Sequence, residues 1–454
     1  MEKIISLPLI LTFKTNRRNS MSSSLPNVSR RRFIKSMAAL GAVVAAPAAI
    51  PAKALGLDGQ VAPSERINLG TVGVHSRGWV DLGIFLERKD IQYVANCDIR
   101  KDQRERNQNL ARQMYGDIKF PVYNDMNDLF LRDDVDAVLI ATGDRWHTLA
   151  SITASRYGKD VYCEKPLSLT IAESIALAVA VERSGIVYQA GTQRRNIGNF
   201  QLAAELVRKG KLGKLLEVHA NTLWPATNHN WLPAQPLPAP SEIDWDKWLG
   251  PCPWRPYNFQ YVDGNWRNFY DFHGGGILEW GSHTVDLCQW AAQKDDTAPV
   301  KYEPQFLPDG SKGGEVYAWY ADGVKLVMRS TGWHGMGSCS SQYVGEEGWV
   351  ETGDSGRMAV SSDALRKELK YFPSSGANWS PKNHIDEFCE CVKSRRTPSA
   401  NAKVAAQSHI VCHCAYIAWQ LGRTLNYDPV KNEFINDEEA NRMRSRAMRE
   451  AYTL

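Results

Sequence analysis

A glycine-containing turn near residue 70 has the spacing that dinucleotide phosphates require. Residues 73–78 read GVHSRG, in which His75 stands where the G-x-G-x-x-G pattern has its second glycine. Asp98, 20 residues beyond Gly78, ends an apolar run, and a carboxylate there can accept hydrogen bonds from ribose hydroxyls. Because a carboxylate repels the extra phosphate of NADP, this spacing predicts an NAD site.

These residues must be brought to one edge of a framework, and the surrounding sequence predicts such a framework. The segments "RINLGTV", "IQYVANCDI", "VDAVLIATG" and "DVYCEKP" are short apolar runs that end in polar residues, with helical stretches between them. Buried strands that alternate with helices predict an α/β fold with a Rossmann-type, doubly wound parallel sheet. Ligands bind at the carboxyl ends of such strands, where Gly73, Asp98, Thr142 and Lys165 fall.

The first 54 residues predict an export signal that precedes the fold. Residues 29–54 hold the sequence SRRRFIK, then an apolar run to about Ile50, then small residues where a peptidase could cleave. The apolar run is too short to span a bilayer, and the arginines followed by Phe-Ile-Lys resemble a twin-arginine signal. We therefore expect a periplasmic or otherwise exported protein with no integral membrane segment.

The charge of the chain argues against two classes of partner. Residues 1–54 contain nine lysines and arginines and one glutamate, which leaves 45 basic and 49 acidic residues in the rest of the chain. The positive net charge of the whole chain therefore belongs to the leader. No basic arm or stripe remains, so we expect neither nucleic acid nor an anionic membrane as a partner.

The nine cysteines form neither zinc-binding pairs nor an even disulfide framework. Cys97 and Cys163 lie in apolar, strand-like runs and are predicted to be packed thiols. The sequence HIVCHC at residues 409–414 fits no common zinc spacing and lies in a stretch typical of a half-buried helix. We therefore predict no metal site.

Aromatic side chains are dense between residues 224 and 290, and this density indicates a carbohydrate ligand. Aromatic rings stack on the C–H faces of sugars, while polar side chains between them bind hydroxyls. Tyr270, Asp271 and His273, directly before three glycines, are the predicted substrate contacts. Because aromatic side chains dominate buried cores, we expect only two or three of the rings to touch the ligand.

Several segments resemble the Gfo/Idh/MocA family of oxidoreductases. They are "DAVLIATGDRWHTLASITASRYGKDVYCEKPLSLTIAES", "AGTQRR", "IDWDKWLGPCPWRPYN", "GGGILEWGSHTVDLCQW" and "AYIAWQLGRTLNYDP". The resemblance runs from about residue 65 to 445. It implies an NAD-binding domain at 65–195, an α/β domain with an open, mostly antiparallel sheet at 196–430, and a tail at 431–454 that packs on it. It also implies a homo-oligomer assembled through the second sheet.

The same resemblance assigns the reaction centre. It implies that Lys165 lies at the nicotinamide and faces a D-x-x-x-H motif, which here runs from Glu279 to His283. The sequence departs from the family at His75 for glycine, Gly143 for proline and Glu279 for aspartate. The first change affects the phosphate turn, the second affects the loop at Gly143, and the third lengthens the acidic side chain at position 279. The implied cofactor contacts are Gly73, His75, Ser76, Arg77, Gly78, Asp98, Thr142, Asp144, His147, Glu164, Lys165 and Gln193.

Oxidation of a secondary alcohol requires a hydride acceptor and a group that takes the hydroxyl proton. Lys165 and His283 are the predicted pair for proton transfer. Glu279 lies four residues before His283 on a predicted helix, so its carboxylate would share a face with the imidazole and could orient or charge it. These three residues are the predicted catalytic set.

Export constrains the reaction, because no pool outside the cytoplasm replaces a consumed NAD. The enzyme must either regenerate a tightly bound NAD in each cycle or pass electrons to a second substrate. The first route predicts a glycosidase that works through a 3-keto sugar, with Glu279, Tyr270 and His273 as candidates for the unassigned elimination base and leaving-group acid. The alternatives are a sugar dehydrogenase or sugar–sugar oxidoreductase with the same residues, and a non-catalytic sugar or nucleotide sensor. The retention of Lys165, Glu279 and His283 together disfavours the sensor.

Overall fold

Six short strands at the start of the described chain form a parallel sheet. The computed structural model describes residues 61–225, 228–369 and 382–454, so the predicted leader with its twin-arginine signal lies outside the described residues. The strands are β1 (Ile67–Val72), β2 (Ile91–Cys97), β3 (Val122–Tyr123), β4 (Ala137–Ile140), β5 (Asp160–Cys163) and β6 (Tyr188–Ala190). They pair in the order β3-β2-β1-β4-β5-β6. This order and the parallel pairing confirm the predicted Rossmann-type sheet.

Helices cover both faces of this sheet because its strands are apolar on both sides. Val138 and Ile140 of β4 pack in one cluster, while Ala137 and Leu139 pack in the other. The helices are α1 (Arg77–Leu86), α2 (Lys101–Tyr115), α3 (Met126–Phe130), α4 (Asp144–Arg156) and α5 (Ile171–Ser184). The loop between β5 and α5 carries Lys165 and ends where the Thr170 side chain accepts a hydrogen bond from the backbone of Glu173.

The second sheet has nine strands within the described residues. They are β7 (Leu215–Asn221), β8 (Lys301–Phe306), β9 (Lys312–Trp319), β10 (Lys325–Arg329), β11 (Ser341–Gly345), β12 (Gly348–Thr352), β13 (Met358–Val360), β14 (Leu425–Asp428) and β15 (Glu433–Phe434). Their order is β13-β12-β11-β7-β10-β9-β8-β14-β15. Among these neighbours β7 and β10 are parallel and the remaining pairs are antiparallel, which confirms the predicted mostly antiparallel sheet.

Two long helices join the second sheet to the first domain. The helices of this half are α6 (Gly198–Arg208), α7 (Trp245–Leu249), α8 (Phe259–Val262), α9 (Gly275–Ala291), α10 (Asp363–Glu368), α11 (Lys382–Ser394), α12 (Ala402–Leu421) and α13 (Glu438–Arg442). α9 and α12 pack on each other and on the sheet, and α12 also packs on α5. α11 returns to the first domain, where Ile385 and Phe388 join the core around Leu69.

The dense aromatic segment is mostly a core of its own. Trp245, Tyr257, Tyr261, Phe269 and Phe272 are buried together, as expected for rings that dominate burial. All nine cysteines are buried and free, so the thiols of the two strand cysteines are packed as predicted. Within the described ranges, we find no helix with the length and apolar character needed to cross a bilayer.

Candidate active site

A cavity of about 1030 Å³ lies along the carboxyl edge of the parallel sheet. The turns after β1, β2, β4 and β5 form one wall, and α9 with the loop between α8 and α9 forms part of the opposite wall. The structure brings eleven predicted cofactor residues together here. They are Gly73, His75, Ser76, Arg77, Asp98, Thr142, Asp144, His147, Glu164, Lys165 and Gln193.

Two glycines shape the turn between β1 and α1. Gly73 has a φ of +69°, and a Cβ at this position would overlap Thr142 Cγ2 and lie 2.9 Å from Thr142 Cα. Gly78 is the predicted cofactor residue that does not line the cavity. A Cβ on Gly78 would lie 2.7 Å from Ala141 Cβ, so this glycine allows α1 to pack closely on the sheet.

His75 takes the place of a glycine without blocking the turn. Its side chain is exposed, with ring Nδ1 2.9 Å from Ser76 Oγ. Ser76 directly precedes the first residue of α1, so the positive end of this helix dipole lies at the turn. Helix N-termini bind phosphate groups, and the turn therefore fits the diphosphate of a dinucleotide.

Asp98 stands at the end of β2, where a ribose would bind. Its Oδ1 accepts a hydrogen bond from the backbone N–H of Arg100 at 2.9 Å, and burial raises its pKa to about 7. The Arg100 guanidinium is already bound to Asp102, at 3.0 and 2.7 Å. That ion pair leaves Arg100 poorly placed to receive a 2′-phosphate, so the arrangement fits NAD.

Lys165 reaches from the loop after β5 to α9. Its Nζ donates to Glu279 Oε1 at 2.9 Å and to the backbone oxygen of Glu279 at 3.1 Å. Burial raises the pKa of Glu279, but Lys165 and His273 outweigh it and hold that pKa well below its usual range. Glu279 is therefore an ionised partner of the lysine.

His283 lines the same cavity and is 5% exposed. Its Nδ1 is buried without a hydrogen-bond partner among the described residues. Burial first, and then the charges of Arg194 and Lys165, hold the pKa of His283 well below its usual range, so the ring is neutral. The prediction that Glu279 would orient or charge this imidazole is wrong, because an ammonium ion offers the carboxylate a stronger partner than a neutral ring.

His273 lies behind Glu279 and fixes its other oxygen. Its Nδ1 accepts the backbone N–H of Gly275 at 3.2 Å, so Nε2 carries the ring proton and donates it to Glu279 Oε2 at 3.0 Å. Asp144 Oδ2 lies 3.8 Å from the same Nε2 and is buried without a hydrogen bond within the described residues. The result is a buried chain of polar groups that runs from Lys165 to Asp144.

The same three side chains must also be considered as a metal site. Ligand atoms of Asp144, His273 and Glu279 lie within 4.8 Å of one another. The Gly275 N–H fixes the tautomer whose Nε2 bears a proton, which removes the lone pair that a metal ion needs. The Lys165 ammonium also occupies one Glu279 oxygen, so this donor set fits a hydrogen-bonded chain better than a cation.

The predicted substrate residues do not line the cavity. Asp271 Oδ2 accepts a hydrogen bond from buried Arg255 at 2.7 Å, because a buried guanidinium needs a counter-ion. The Tyr270 ring stacks on Arg446, with the guanidinium carbon 3.8 Å from the ring centre. The prediction of direct contact is therefore wrong for these two residues, and His273 contacts Glu279 instead of the cavity.

Histidines from α12 and α4 hold the Lys165 loop. His409 donates from Nδ1 to the backbone of its own helix and accepts the Leu167 N–H at Nε2, 3.1 Å away, and burial lowers its pKa to about 3. His413 Nε2 lies 3.1 Å from Ser168 Oγ. The histidines of the HIVCHC segment thus hold the Lys165 loop in place, which accounts for a histidine and cysteine cluster that looks like a metal-binding sequence. His147 joins two loops, with its ring nitrogens 2.6 and 3.1 Å from the backbone oxygens of Pro166 and Thr142.

Several cavity residues were not predicted from the sequence. The rings of the aromatic segment that line the cavity are Trp248, Trp266 and Trp280, and which of them contact a ligand stays a prediction. The aromatic density was the signal for these rings, whereas no local pattern marks the remaining residues, which come from separate segments. Those residues include Arg145, Arg194, Arg267, Ser338 and Cys339.

Comparison with known families matches almost the whole described chain. Residues 69–192 match the sequence model of the oxidoreductase family, NAD-binding Rossmann fold. Residues 201–454 match that of the oxidoreductase family, C-terminal alpha/beta domain. The first match identifies an NAD-binding domain, in agreement with the cofactor predicted from the turn and Asp98.

Individual relatives are more distant. The chain is 27% identical over 164 residues to 2,7-anhydro-N-acetylneuraminate hydratase of Mediterraneibacter gnavus, covering 36% of this chain and 38% of that protein. It is 28% identical over 217 residues to alpha-N-acetylgalactosaminidase of Shewanella oneidensis, covering 43% and 46%. The chain thus spans less than half the length of these curated relatives. The structure of GenD2 from gentamicin A biosynthesis, in complex with NAD, aligns with a TM-score of 0.57 at 20% identity over 80% of this chain and 97% of that one, which shows the shared fold.

Proposed function

The chain belongs to the Gfo/Idh/MocA oxidoreductase family, and from this premise we propose that it is a carbohydrate-acting enzyme that retains NAD and hydrolyses glycosides without net oxidation. The observation that carries the proposal is the Lys165–Glu279 pair, which lines one cavity together with neutral His283 and the dinucleotide turn. The names of the curated relatives, a sugar hydratase and a glycosidase, support a carbohydrate substrate.

Each catalytic side chain has a role that follows from its contacts. When bound, NAD accepts a hydride from a substrate carbon and can return it. As the neutral amine, Lys165 is placed to take the proton of the reacting hydroxyl, and the ammonium ion that results, held by Glu279, returns that proton when the ketone is reduced. His283, with a buried nitrogen that lacks a partner within the described residues, can hydrogen-bond the same hydroxyl.

The hydrolysis follows from the acidity of a 3-keto sugar. Conversion of the C3 hydroxyl to a ketone acidifies the C2 proton, and loss of that proton expels the aglycone from C1. Water then adds across the C1–C2 double bond, and the ketone returns to the alcohol, so that the net reaction is hydrolysis. Among the three candidates for the elimination base, Glu279 lines the cavity whereas Tyr270 and His273 do not. This route needs no pair of carboxylates flanking the glycosidic bond.

The first test is the cofactor content of protein purified without added nucleotide. We expect denaturation to release NAD and NADH in an amount close to that of the protein. An empty protein would contradict a retained cofactor and would favour a sugar dehydrogenase that takes NAD from solution.

The second test separates hydrolysis from net oxidation. Wild-type protein should release the aglycone of a glycoside with no added NAD, and the glycosidic C2 proton should exchange with deuterated water. K165M should abolish both signals while it keeps its cofactor. Sugar oxidation that requires added NAD or a second carbohydrate, without aglycone release, would refute the glycosidase and support the oxidoreductase alternative.

Export and assembly complete the proposal. We propose that residues 1–54 direct the folded, NAD-loaded protein through the twin-arginine route, and R30K/R31K should retain it in the cytoplasm.

We also propose that the second sheet forms a subunit contact, because Tyr317 and Trp319 of β9 alternate with buried residues and are themselves only partly buried. Light scattering of wild type and W319D tests the assembly, and a monomeric wild type would refute it.

A further inference from the structure

Arg145 is a buried cation in the wall of the cavity. It is the second residue of α4 and is 6% exposed. Its Nε donates to the backbone oxygen of Trp248 at 2.6 Å, and its guanidinium carbon lies 3.6 Å from the centre of the Trp248 ring. The indole thus holds the plane of the guanidinium in one orientation.

Arg145 forms no ion pair with a carboxylate of the described residues. Its Nη1 is buried and has no hydrogen-bond partner within the described residues. Burial lowers the pKa of Arg145 to about 10, so the side chain is still charged at neutral pH. A buried charge is normally paired, and stacking on an aromatic ring offsets only part of its desolvation.

The contrast with other buried arginines of this protein is informative. Arg195 is 3% exposed and pairs with both Asp286 and Asp295, and Arg255 is 2% exposed and pairs with Asp271. Arg145, the one of these three that lines the cavity, lacks such a partner within the described residues.

Gly143 makes room for this guanidinium. A Cβ at position 143 would overlap Arg145 Nη1, and its next neighbour would be Trp266, at 3.6 Å from Cζ2. The glycine that replaces the proline of the family resemblance is therefore coupled to the arginine two residues later. Adjacent Thr142 packs on Gly73 of the phosphate turn, so the guanidinium lies at a loop that faces the turn.

We propose that Arg145 binds an oxyanion of a ligand in this cavity, either a phosphate of the dinucleotide or, if the protein acts on sugars as proposed above, the carboxylate of an acidic sugar. A planar guanidinium donates two parallel hydrogen bonds to either group. The shared chemistry is that of a desolvated site for one anionic group, in which the ligand supplies the counter-ion that the described residues do not.

Binding measurements on cofactor-free protein decide the phosphate source. Calorimetry with ADP-ribose, which carries a diphosphate, is compared with adenosine, which carries none, for wild type, R145Q and G143A. If the diphosphate is the ligand, R145Q should weaken ADP-ribose about tenfold to a hundredfold and leave adenosine unchanged. R183Q, which removes an exposed charge of α5 outside the cavity, is the matched control.

A second pair of probes decides the carboxylate source. Glucuronate and glucose differ by one acid group, and their binding to NADH-loaded protein requires no turnover. If a substrate carboxylate is the ligand, R145Q should weaken glucuronate by a similar factor while glucose and ADP-ribose bind as before. Absence of glycoside hydrolysis would refute the proposed function without affecting either binding result.

Two variants keep the inference open to refutation if R145Q does not fold. G143A displaces the guanidinium with a methyl group and keeps the arginine, and R145K keeps the charge but not the planar pair of donors. We expect G143A to reproduce the R145Q defect in wild type and to add little in an R145Q background. If folded R145Q or G143A binds all four probes as wild type does, Arg145 is only a structural pin on Trp248 and the inference is wrong.

Discussion

His273 offers the sharpest test of how this site holds its catalytic lysine. Its Nε2 donates to Glu279 Oε2 at 3.0 Å, on the carboxylate whose other oxygen accepts from Lys165 at 2.9 Å. A hydrogen bond to a buried charged group contributes about 1.5–3 kcal/mol. H273L removes this bond, so we expect the kcat for glycoside turnover to fall about tenfold to a hundredfold as Glu279 and Lys165 lose their fixed geometry.

The acid side of the pH profile gives a second, signed readout. His273 helps to hold the pKa of Glu279 below its usual range, so the carboxylate stays ionised as the pH falls. Loss of the donor raises that pKa, and H273L should therefore lose activity at a higher pH than wild type on the acid side. The stability that this depressed pKa contributes is present above the ordinary carboxyl range and is lost as the pH falls below that range. Wild type should therefore have a lower free energy of unfolding at acid pH than at neutral pH. E279Q should lack this part of the pH dependence.

H273Q is the matched control, because a glutamine amide can donate a hydrogen bond from nearly the position of Nε2. It should recover much of kcat and return the acid limb toward wild type, whereas H273L should not. Both variants should retain NAD, since His273 does not line the cavity. If H273L has the kcat and pH profile of wild type, or if folded H273Q is as impaired as H273L, the hydrogen bond does not position Glu279.

Three other predictions concern the cofactor turn, the ribose site and the lysine loop. NAD should bind wild type less tightly as the pH falls through about 7, where buried Asp98 takes up a proton. D98N should bind NAD weakly and with no dependence on pH. Binding titrations in which the affinity of both proteins changes equally with pH would contradict this. G73A should lower the free energy of unfolding in urea by about 1–3 kcal/mol and empty the cofactor site. G158A is the control, because Gly158 has the same φ of +69° but its Cβ would have no neighbour within 4 Å, and it should lose less stability. Equal losses in the two variants would mean that backbone strain alone matters. H409L leaves the Leu167 N–H without its acceptor and should lower the free energy of unfolding by about 1–3 kcal/mol. It should also lower kcat while NAD stays bound. An unchanged kcat would show that this hydrogen bond does not position the Lys165 loop.

The sequence was most informative where function depends on backbone. The G-x-x-x-x-G spacing and Asp98 predicted the cofactor edge because strand ends, a positive-φ glycine and a terminal carboxylate are local features. The alternation of short apolar runs with helical stretches likewise predicted the parallel sheet of the first domain, although not the order of its strands. Side-chain partners were harder, since Asp271 looked like a sugar ligand until the structure showed buried Arg255 beside it. A counter-ion requirement of that kind depends on burial, which the local sequence does not reveal.

The spacing of Glu279 and His283 illustrates the same limit within one helix. Their four-residue separation predicted a shared helix face, and both residues line the cavity, but that separation could not identify the partner of each group. The partners of Glu279 are Lys165, 114 residues away in sequence, and His273, six residues before it in the turn that starts α9. Helical periodicity predicts which side chains share a face, whereas competition among charged groups decides which of them bind.

The three departures from the family pattern can be explained by the contacts that replace the expected residue. The exposed His75 ring contacts Ser76, the residue that directly precedes α1. Gly143 leaves space that the Arg145 guanidinium fills. Glu279 is one methylene longer than aspartate, and its two oxygens accept from Lys165 and His273. Each change keeps the cavity polar and charged, so the departures fit a site adapted to its own ligands better than a site that has lost its chemistry.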